Sequence, residues 1–249
     1  MAADAYDRFM GHYSVPLAAE FIRLVDVGAG LRCLDVGCGP GALTARLVSA
    51  VGAGLVAAVD PSEPFVAAAR TRLPGVDIAS GTAEELPFPD GVFDVALALL
   101  VVHFMSDPVA GLREMGRVTR SGGVVAACVW DNAGGRGPLA TFWRAVEQVG
   151  GLAAPEARRA GTAEGHLAEL FEAAGLKEIE QGSLSVRVEF DSFASWWEPF
   201  TLGVGPAGDY VNGLDAGRRA ELRAACADLL PAAPFGIDAT AWAVRARVA

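Results

Sequence analysis

Leu34-Asp35-Val36-Gly37-Cys38-Gly39-Pro40-Gly41 decides how the rest of the chain is read. An apolar strand with one acid runs into glycines at alternate positions, and a helical pattern with Leu43, Leu47 and Val51 on one face follows. Glycines let bare backbone approach a ligand closely, and the first turn of the next helix offers N–H groups that have no partner inside it. In outline this is a nucleotide-type binding turn.

Outward from the turn, the pattern repeats. Residues 31–36 form a short strand apolar enough to be buried on both faces, and the helix after the glycines stops at Gly52-Ala53-Gly54. Residues 55–59 are a second strand, and they end on Asp60, 19 positions beyond Gly41. An acid at the tip of the second strand can accept hydrogen bonds from both ribose hydroxyls of an adenosine. Residues 61–73 are helical by pattern, 76–79 are a third strand, and 93–102 a fourth, nearly continuous in apolar residues. A helix at 109–118 and a strand at 124–130 complete the alternation. Strands alternating with helices predict an α/β fold, a doubly wound and mostly parallel Rossmann-like sheet whose ligand sits beyond the strand C-termini.

Before the turn, Tyr6, Phe9, Met10 and Tyr13 fall on one side of a short helix, and a second helix runs from residue 17 to 27 after Pro16. Residues 1–30 are expected to be a helical lid, with Tyr6 or Tyr13 near the ligand, on the core of residues 31–130. After Asp131 the pattern changes. Strands at 176–190 and 237–248, the last one antiparallel, finish the sheet, and the segments 131–160 and 191–235 are expected as helical insertions capping its ligand edge.

Composition narrows the partners. With 249 residues, 52% hydrophobic and 20% charged, the chain has ample material for a buried core. A formal charge of −10 argues against a nucleic-acid partner, since such binding draws on Lys and Arg at phosphates, and favours a small-molecule substrate. No uninterrupted apolar run is long enough for a membrane span, and Asp4, Asp7 and Arg8 stand where a signal peptide needs an apolar block, so a soluble, cytoplasmic protein is expected. Cys33, Cys38, Cys128 and Cys226 have no CxxC pair and no His at zinc-ligand spacing. They read as reduced packing thiols, with no metal site.

Gly37-x-Gly39-x-x-Ala42 also satisfies the dehydrogenase fingerprint. Asp35, two residues before the first glycine, puts a negative charge where a dinucleotide pyrophosphate would lie, whereas a ligand with a cationic amino-acid end suits it. No Tyr-x-x-x-Lys pair for hydride chemistry is evident. With these motifs the chain resembles the class I S-adenosylmethionine-dependent methyltransferases, in particular the small-molecule branch similar to ubiquinone/menaquinone C-methyltransferases. The resemblance covers about residues 1–130. It rests on the stretch 34–41, on Val59-Asp60, on Gly81-Thr82-Ala83-Glu84-Glu85-Leu86-Pro87-Phe88, on Phe93-Asp94-Val95 with Val102-His103, and on Arg117-Val118-Thr119-Arg120-Ser121-Gly122-Gly123.

The resemblance implies S-adenosyl-L-methionine as cofactor and S-adenosyl-L-homocysteine as product. The backbone of Gly37, Cys38, Gly39 and Gly41 would lie against the methionine part and ribose, Asp35 would hold the cationic end, and Asp60 with Pro61 would take the ribose. Thr82, Ala83 and Glu84 would meet the adenine, Thr82 standing where the family usually has Asp, and Ala98 would also touch the cofactor. Ser121 replaces the proline usual before the two glycines. His103 leaves the fourth strand at the ligand edge, as a base for an acceptor hydroxyl or amine or as a shape-forming residue. Trp130, Trp143, Trp196, Trp197, Phe200 and Tyr210 are expected beside it, under the cap, around a largely apolar acceptor. A cofactor-binding protein without turnover and a nicotinamide-dependent oxidoreductase are the rival readings. The acceptor atom, O, N or C, is not encoded in any motif.

Overall fold

A computed structural model describes residues 3–152 and 154–249. Met1 and Ala2 of the expected lid, and Ala153 of the first expected insertion, lie outside the described residues.

The chain opens on α1 (Ala3–Tyr6), a single π turn (Asp7–Gly11) and α2 (His12–Val25), continuous in course. The sequence predicts a break at Pro16, but this proline sits inside α2. A proline ring displaces the carbonyl four residues back, and the wider π turn just upstream is where such an insertion is absorbed. Then follow β1 (Cys33–Val36), α3 (Ala42–Val51), β2 (Val56–Asp60), α4 (Glu63–Arg72), β3 (Asp77–Ser80) and β4 (Phe93–Leu99). β4 ends three residues earlier than its apolar run predicts, because Leu100 adopts φ +62° and the chain turns into a 3-10 turn at Val102–Phe104. α5 (Pro108–Val118), capped by the Asp107 carboxylate on the Ala110 N–H, leads to β5 (Thr119–Trp130).

Beyond β5 come α6 (Ala140–Gln148), α7 (His166–Ala173), β6 (Lys177–Phe190), α8 (Phe193–Trp197), α9 (Gly205–Asn212), α10 (Ala216–Leu229) and β7 (Phe235–Arg247). The sheet runs β3-β2-β1-β4-β5-β7-β6. Strands β1 to β5 pair in parallel, and β7 inserts antiparallel between β5 and β6. This is the mostly parallel, doubly wound α/β sheet with an antiparallel last strand that the sequence predicts. The order reverses at β1, so the loops after β1 and β4 diverge and leave a crevice at the strand C-termini.

Alternation along the central strands divides the core between the two faces. Cys33, Val95, Leu97, Leu99, Cys128 and Trp130 join one buried layer with Phe21 of α2 and Leu43 and Leu47 of α3. Leu34, Val36, Ala96, Ala98, Ala127 and Val129 join the other with Leu112 and Met115 of α5 and Phe171 of α7. Asp94 braces the opposite edge, its carboxylate accepting from the Arg32 N–H at 2.7 Å and from Arg120 Nε at 2.6 Å. All four cysteines are free and buried. Among the described residues no helix is long and apolar enough to cross a membrane.

Candidate cofactor and acceptor site

The turn after β1 takes its shape from backbone that only glycine adopts without strain. Gly37, Gly39 and Gly41 have φ of +72°, +54° and +103°. The Gly37 and Cys38 N–H groups both donate to the Val59 carbonyl, at 2.7 and 3.0 Å, tying the turn to the end of β2. A Cβ on Gly37 would stand 2.5 Å from Val101 Cγ2, so the next loop packs against bare backbone; a Cβ on Gly39 would meet nothing within 4 Å. Gly39 therefore presents an open face on which another molecule has room to lie. Asp60 completes the frame: Oδ2 accepts from the Gly39 N–H and Oδ1 from the Ser62 N–H, each at 2.8 Å. Its burial raises the carboxyl pKa, and these two N–H bonds act in the opposite direction.

Asp35 lies beneath the turn, 1% exposed. Oδ2 accepts from Thr44 Oγ1 at 2.6 Å, while Oδ1 is buried without a partner. Burial pushes this carboxyl up to about 7, more than the Thr44 bond lowers it. The Ser14 hydroxyl is likewise buried without a partner, and both residues line a cavity of about 30 Å³ together with Gly37, Gly39 and Leu99. Tyr6 of α1 also lines this cavity, its ring edge-on to Phe65 at 5.5 Å. Burial, with Asp60 nearby, pushes the Tyr6 phenol up to about 12.

Tyr6 also lines a second, larger cavity of about 150 Å³, so this residue is common to the two. The second cavity is bounded by Phe9, Leu100, His103, Trp130 and Glu156 and by the start of α9. His103 is held by the 3-10 turn after β4, Trp130 ends β5, and Glu156 comes from a 3-10 turn at Pro155–Arg158. His103 Nδ1, Trp130 Nε1 and Glu156 Oε2 are buried without partners. Burial, then the Arg159 guanidinium, pushes His103 down to about 3, so it is neutral at physiological pH. Burial raises the Glu156 carboxyl. Among the described residues seven buried side-chain polar atoms lack a partner, and five of them belong to residues lining these two cavities. Natural folds satisfy nearly all buried polar groups, so this concentration makes the two cavities the candidate ligand site.

The other candidates fall into three groups. In the loop after β3, Ala83 is buried and Thr82 exposed, while Glu84 Oε1 accepts from the Ser106 N–H at 2.7 Å and the Asp107 N–H at 3.2 Å, bracing the entry to α5. Pro61 is exposed beside Asp60. Ala98 faces the α5 side of the sheet, and its neighbour Leu99 is the β4 residue at the glycine turn. Tyr13 packs edge-on to Trp130 and lines neither cavity. Trp143, Trp196, Trp197, Phe200 and Tyr210 do not line the second cavity; they form an aromatic layer behind it, with Phe200 stacked on Phe142 at 4.6 Å and meeting Phe9 at 5.2 Å. Of the residues expected around the acceptor, His103 and Trp130 line this cavity. Glu156 lines it as well, and no sequence motif marks that residue.

Residues 34–127 match the family described as a methyltransferase domain. The chain is 33% identical over 151 residues to a malonyl-[acyl-carrier protein] O-methyltransferase of Serratia marcescens, covering 58% of each chain. It is 35% identical over 137 residues to a chloroplastic 2-methyl-6-phytyl-1,4-hydroquinone methyltransferase of Oryza sativa, covering 53% of this chain and 37% of that one. The curated relatives it matches are spanned over 33% to 58% of their length. The crystal structure of the YcgJ protein from Bacillus subtilis superposes with a TM-score of 0.59 at 21% identity, covering 95% of this chain and 98% of that one, a likeness of fold. Residues 34–127 thus carry a methyltransferase domain, and proteins similar to the chain around it include methyltransferases.

Proposed function

We propose that the protein transfers the methyl group of S-adenosyl-L-methionine to a small, largely apolar metabolite. The supporting observation is a pair of cavities that share Tyr6, one under the glycine turn lined by Asp35, whose Oδ1 is unpartnered, the other mostly apolar and lined by His103, Trp130 and Glu156, each with an unpartnered polar atom. The residues fit the cofactor: a buried carboxylate oxygen for a cationic amino group, an open Gly39 backbone, and Asp60 at the tip of β2 for the ribose. When bound, the cofactor supplies a methyl group on a sulfonium, already a good leaving group.

The chain's own contribution is then alignment and exclusion of water, worth about 7–11 kcal/mol when reacting atoms are held in line. Tyr6 stands where donor and acceptor would meet. The neutral His103 has a ring nitrogen free of partners, but a group pushed down to about 3 holds a proton poorly. We therefore assign it to orienting the acceptor. The formal charge of −10 favours a small molecule over nucleic acid as partner, and the four buried free cysteines suit a reducing, cytoplasmic setting.

Isothermal titration with S-adenosylmethionine and S-adenosylhomocysteine tests the reading. Both are expected to bind, and Asp60→Ala to bind neither measurably. Absence of binding to the unmodified protein would sink it. Incubating metabolite extract with isotopically labelled donor and identifying the labelled product by mass spectrometry then gives the acceptor.

A further inference from the structure

The wall of the larger cavity carries a polar cluster that the motifs of the fold do not account for. Glu156 is 7% exposed and His103 8%, and each has a buried polar atom without a partner, as does Trp130. The three residues line one cavity whose remaining walls are mostly apolar, with Phe9, Leu100 and Val204 among them. Unpartnered polar atoms in an apolar enclosure are costly to leave unmet, and they discriminate strongly for a ligand that satisfies them.

Their chemistry restricts that ligand. The indole N–H of Trp130 can only donate, whereas His103 and Glu156 each offer acceptor capacity. The Arg159 guanidinium lies 4.9 Å over the Phe104 ring, and its Nη1 is 3.5 Å from the His103 carbonyl oxygen. A cationic amine would be repelled by this guanidinium, and a carboxylate would be set against the buried Glu156. A hydroxyl both accepts and donates and carries no charge. In size, a cavity of about 150 Å³ matches an engineered apolar cavity known to take benzene.

We propose that Glu156, with the Trp130 indole N–H and His103, is the recognition site for the hydroxyl group of an otherwise apolar acceptor carrying a phenol-sized ring. This rests on the methyl-transfer reading, with Glu156 as a specificity residue for the acceptor. The hydroxyl accepts from Trp130 Nε1 and donates to Glu156 or His103, and the ring fills the space toward Phe9 and Leu100.

Three fluorinated probes, 4-fluorophenol, fluorobenzene and 4-fluorobenzylammonium, test this by ¹⁹F NMR titration, with and without S-adenosylhomocysteine. The phenol is expected to bind about three- to tenfold more tightly than fluorobenzene, the effect of one or two net hydrogen bonds, and the ammonium probe least tightly. In Glu156→Leu the ratio of phenol to fluorobenzene affinity falls toward one; in Glu156→Gln, which keeps a donor and an acceptor, most of it survives. The readout is a ratio, so a general loosening of the fold moves both probes together. Equal binding of phenol and fluorobenzene, an unchanged ratio in Glu156→Leu, or preference for the ammonium probe overturns the proposal. Because the titration also runs without S-adenosylhomocysteine, its outcome is distinguishable from failure of cofactor binding.

Discussion

Thr44 donates its hydroxyl to Oδ2 of Asp35 at 2.6 Å and leaves Oδ1 of the same carboxylate buried without a partner. One oxygen fixes the orientation of the side chain, and the residue lines the cavity under the glycine turn with the other oxygen unpartnered. Half of the carboxylate is structural and half is available.

That division gives a pH dependence. Burial holds Asp35 at about 7, above its ordinary 3.8, so between those values the folded chain binds more protons than the unfolded one. Its contribution to stability is therefore present at low pH and lost as pH rises through about 7. A cationic amino group beside Oδ1 favours the ionised form, so cofactor affinity should rise with pH up to about 7, by up to roughly tenfold per unit. Titration calorimetry in buffers of different ionisation enthalpy should show proton release near neutral pH. Asp35→Asn should remove both the pH dependence and the release.

Gly37 and Gly39 should separate stability from binding. Gly37→Ala places a Cβ 2.5 Å from Val101 Cγ2 at a φ of +72°, and is expected to cost about 1–3 kcal/mol in urea denaturation. A Cβ on Gly39 meets nothing within 4 Å, so Gly39→Ala should cost only the left-handed backbone term, about 1–2 kcal/mol. Its methyl group enters the ligand side, and cofactor affinity should fall more than stability does.

Arg117 staples the loop after β3 to α5. Its Nη1 and Nη2 donate to the Phe88 and Leu86 carbonyls at 2.9 and 3.1 Å, while Nε and Nη2 bond the Glu114 carboxylate, each at 2.7 Å. Glu114 in turn accepts from the Leu86 N–H at 3.1 Å. Arg117→Ala should cost about 1–3 kcal/mol, since partly buried carbonyls lose their donors. Amide hydrogen exchange should quicken across residues 81–88, with cofactor affinity falling in parallel. A lysine cannot reproduce the fork and should rescue little.

The N-terminal segment from α1 to α2 sets an expectation for kinetics. A space of about 30 Å³ holds little more than a water or two, so Tyr6 has to swing aside for a nucleoside to enter. Arg72 latches this segment from α4, with Nη1 2.7 Å from Asp7 Oδ2 and Nη2 3.2 Å from Asp4 Oδ1. Arg72→Ala should speed S-adenosylhomocysteine association about two- to fivefold in stopped flow, the range open to a partly exposed ion pair worth under about 1 kcal/mol. Added salt should accelerate the unmodified protein toward the variant's rate and leave the variant nearly unchanged.

The sequence by itself determined the sheet and the glycine turn, because both are written in local terms. Buried parallel strands need continuous apolar runs, and Gly37, Gly39 and Gly41 take backbone angles that strain residues with a side chain. Asp60 was legible for the same reason: it stands at the tip of a readable strand. The end of β4 was not, since Leu100 takes φ +62° within an unbroken apolar run, a turn imposed by the packing around it.

Only the tertiary structure decided which residues line the larger cavity. An aromatic side chain in the core and one lining a cavity bury the same kind of surface, so composition cannot separate Trp130, at the cavity, from Trp196, Trp197 and Phe200 in the layer behind it. Glu156 sits in a short turn without periodicity, and its significance comes from His103 and Trp130, which reach the same cavity from β4 and β5. A buried polar atom without a partner is a property of its surroundings, and those are assembled from segments distant in the chain.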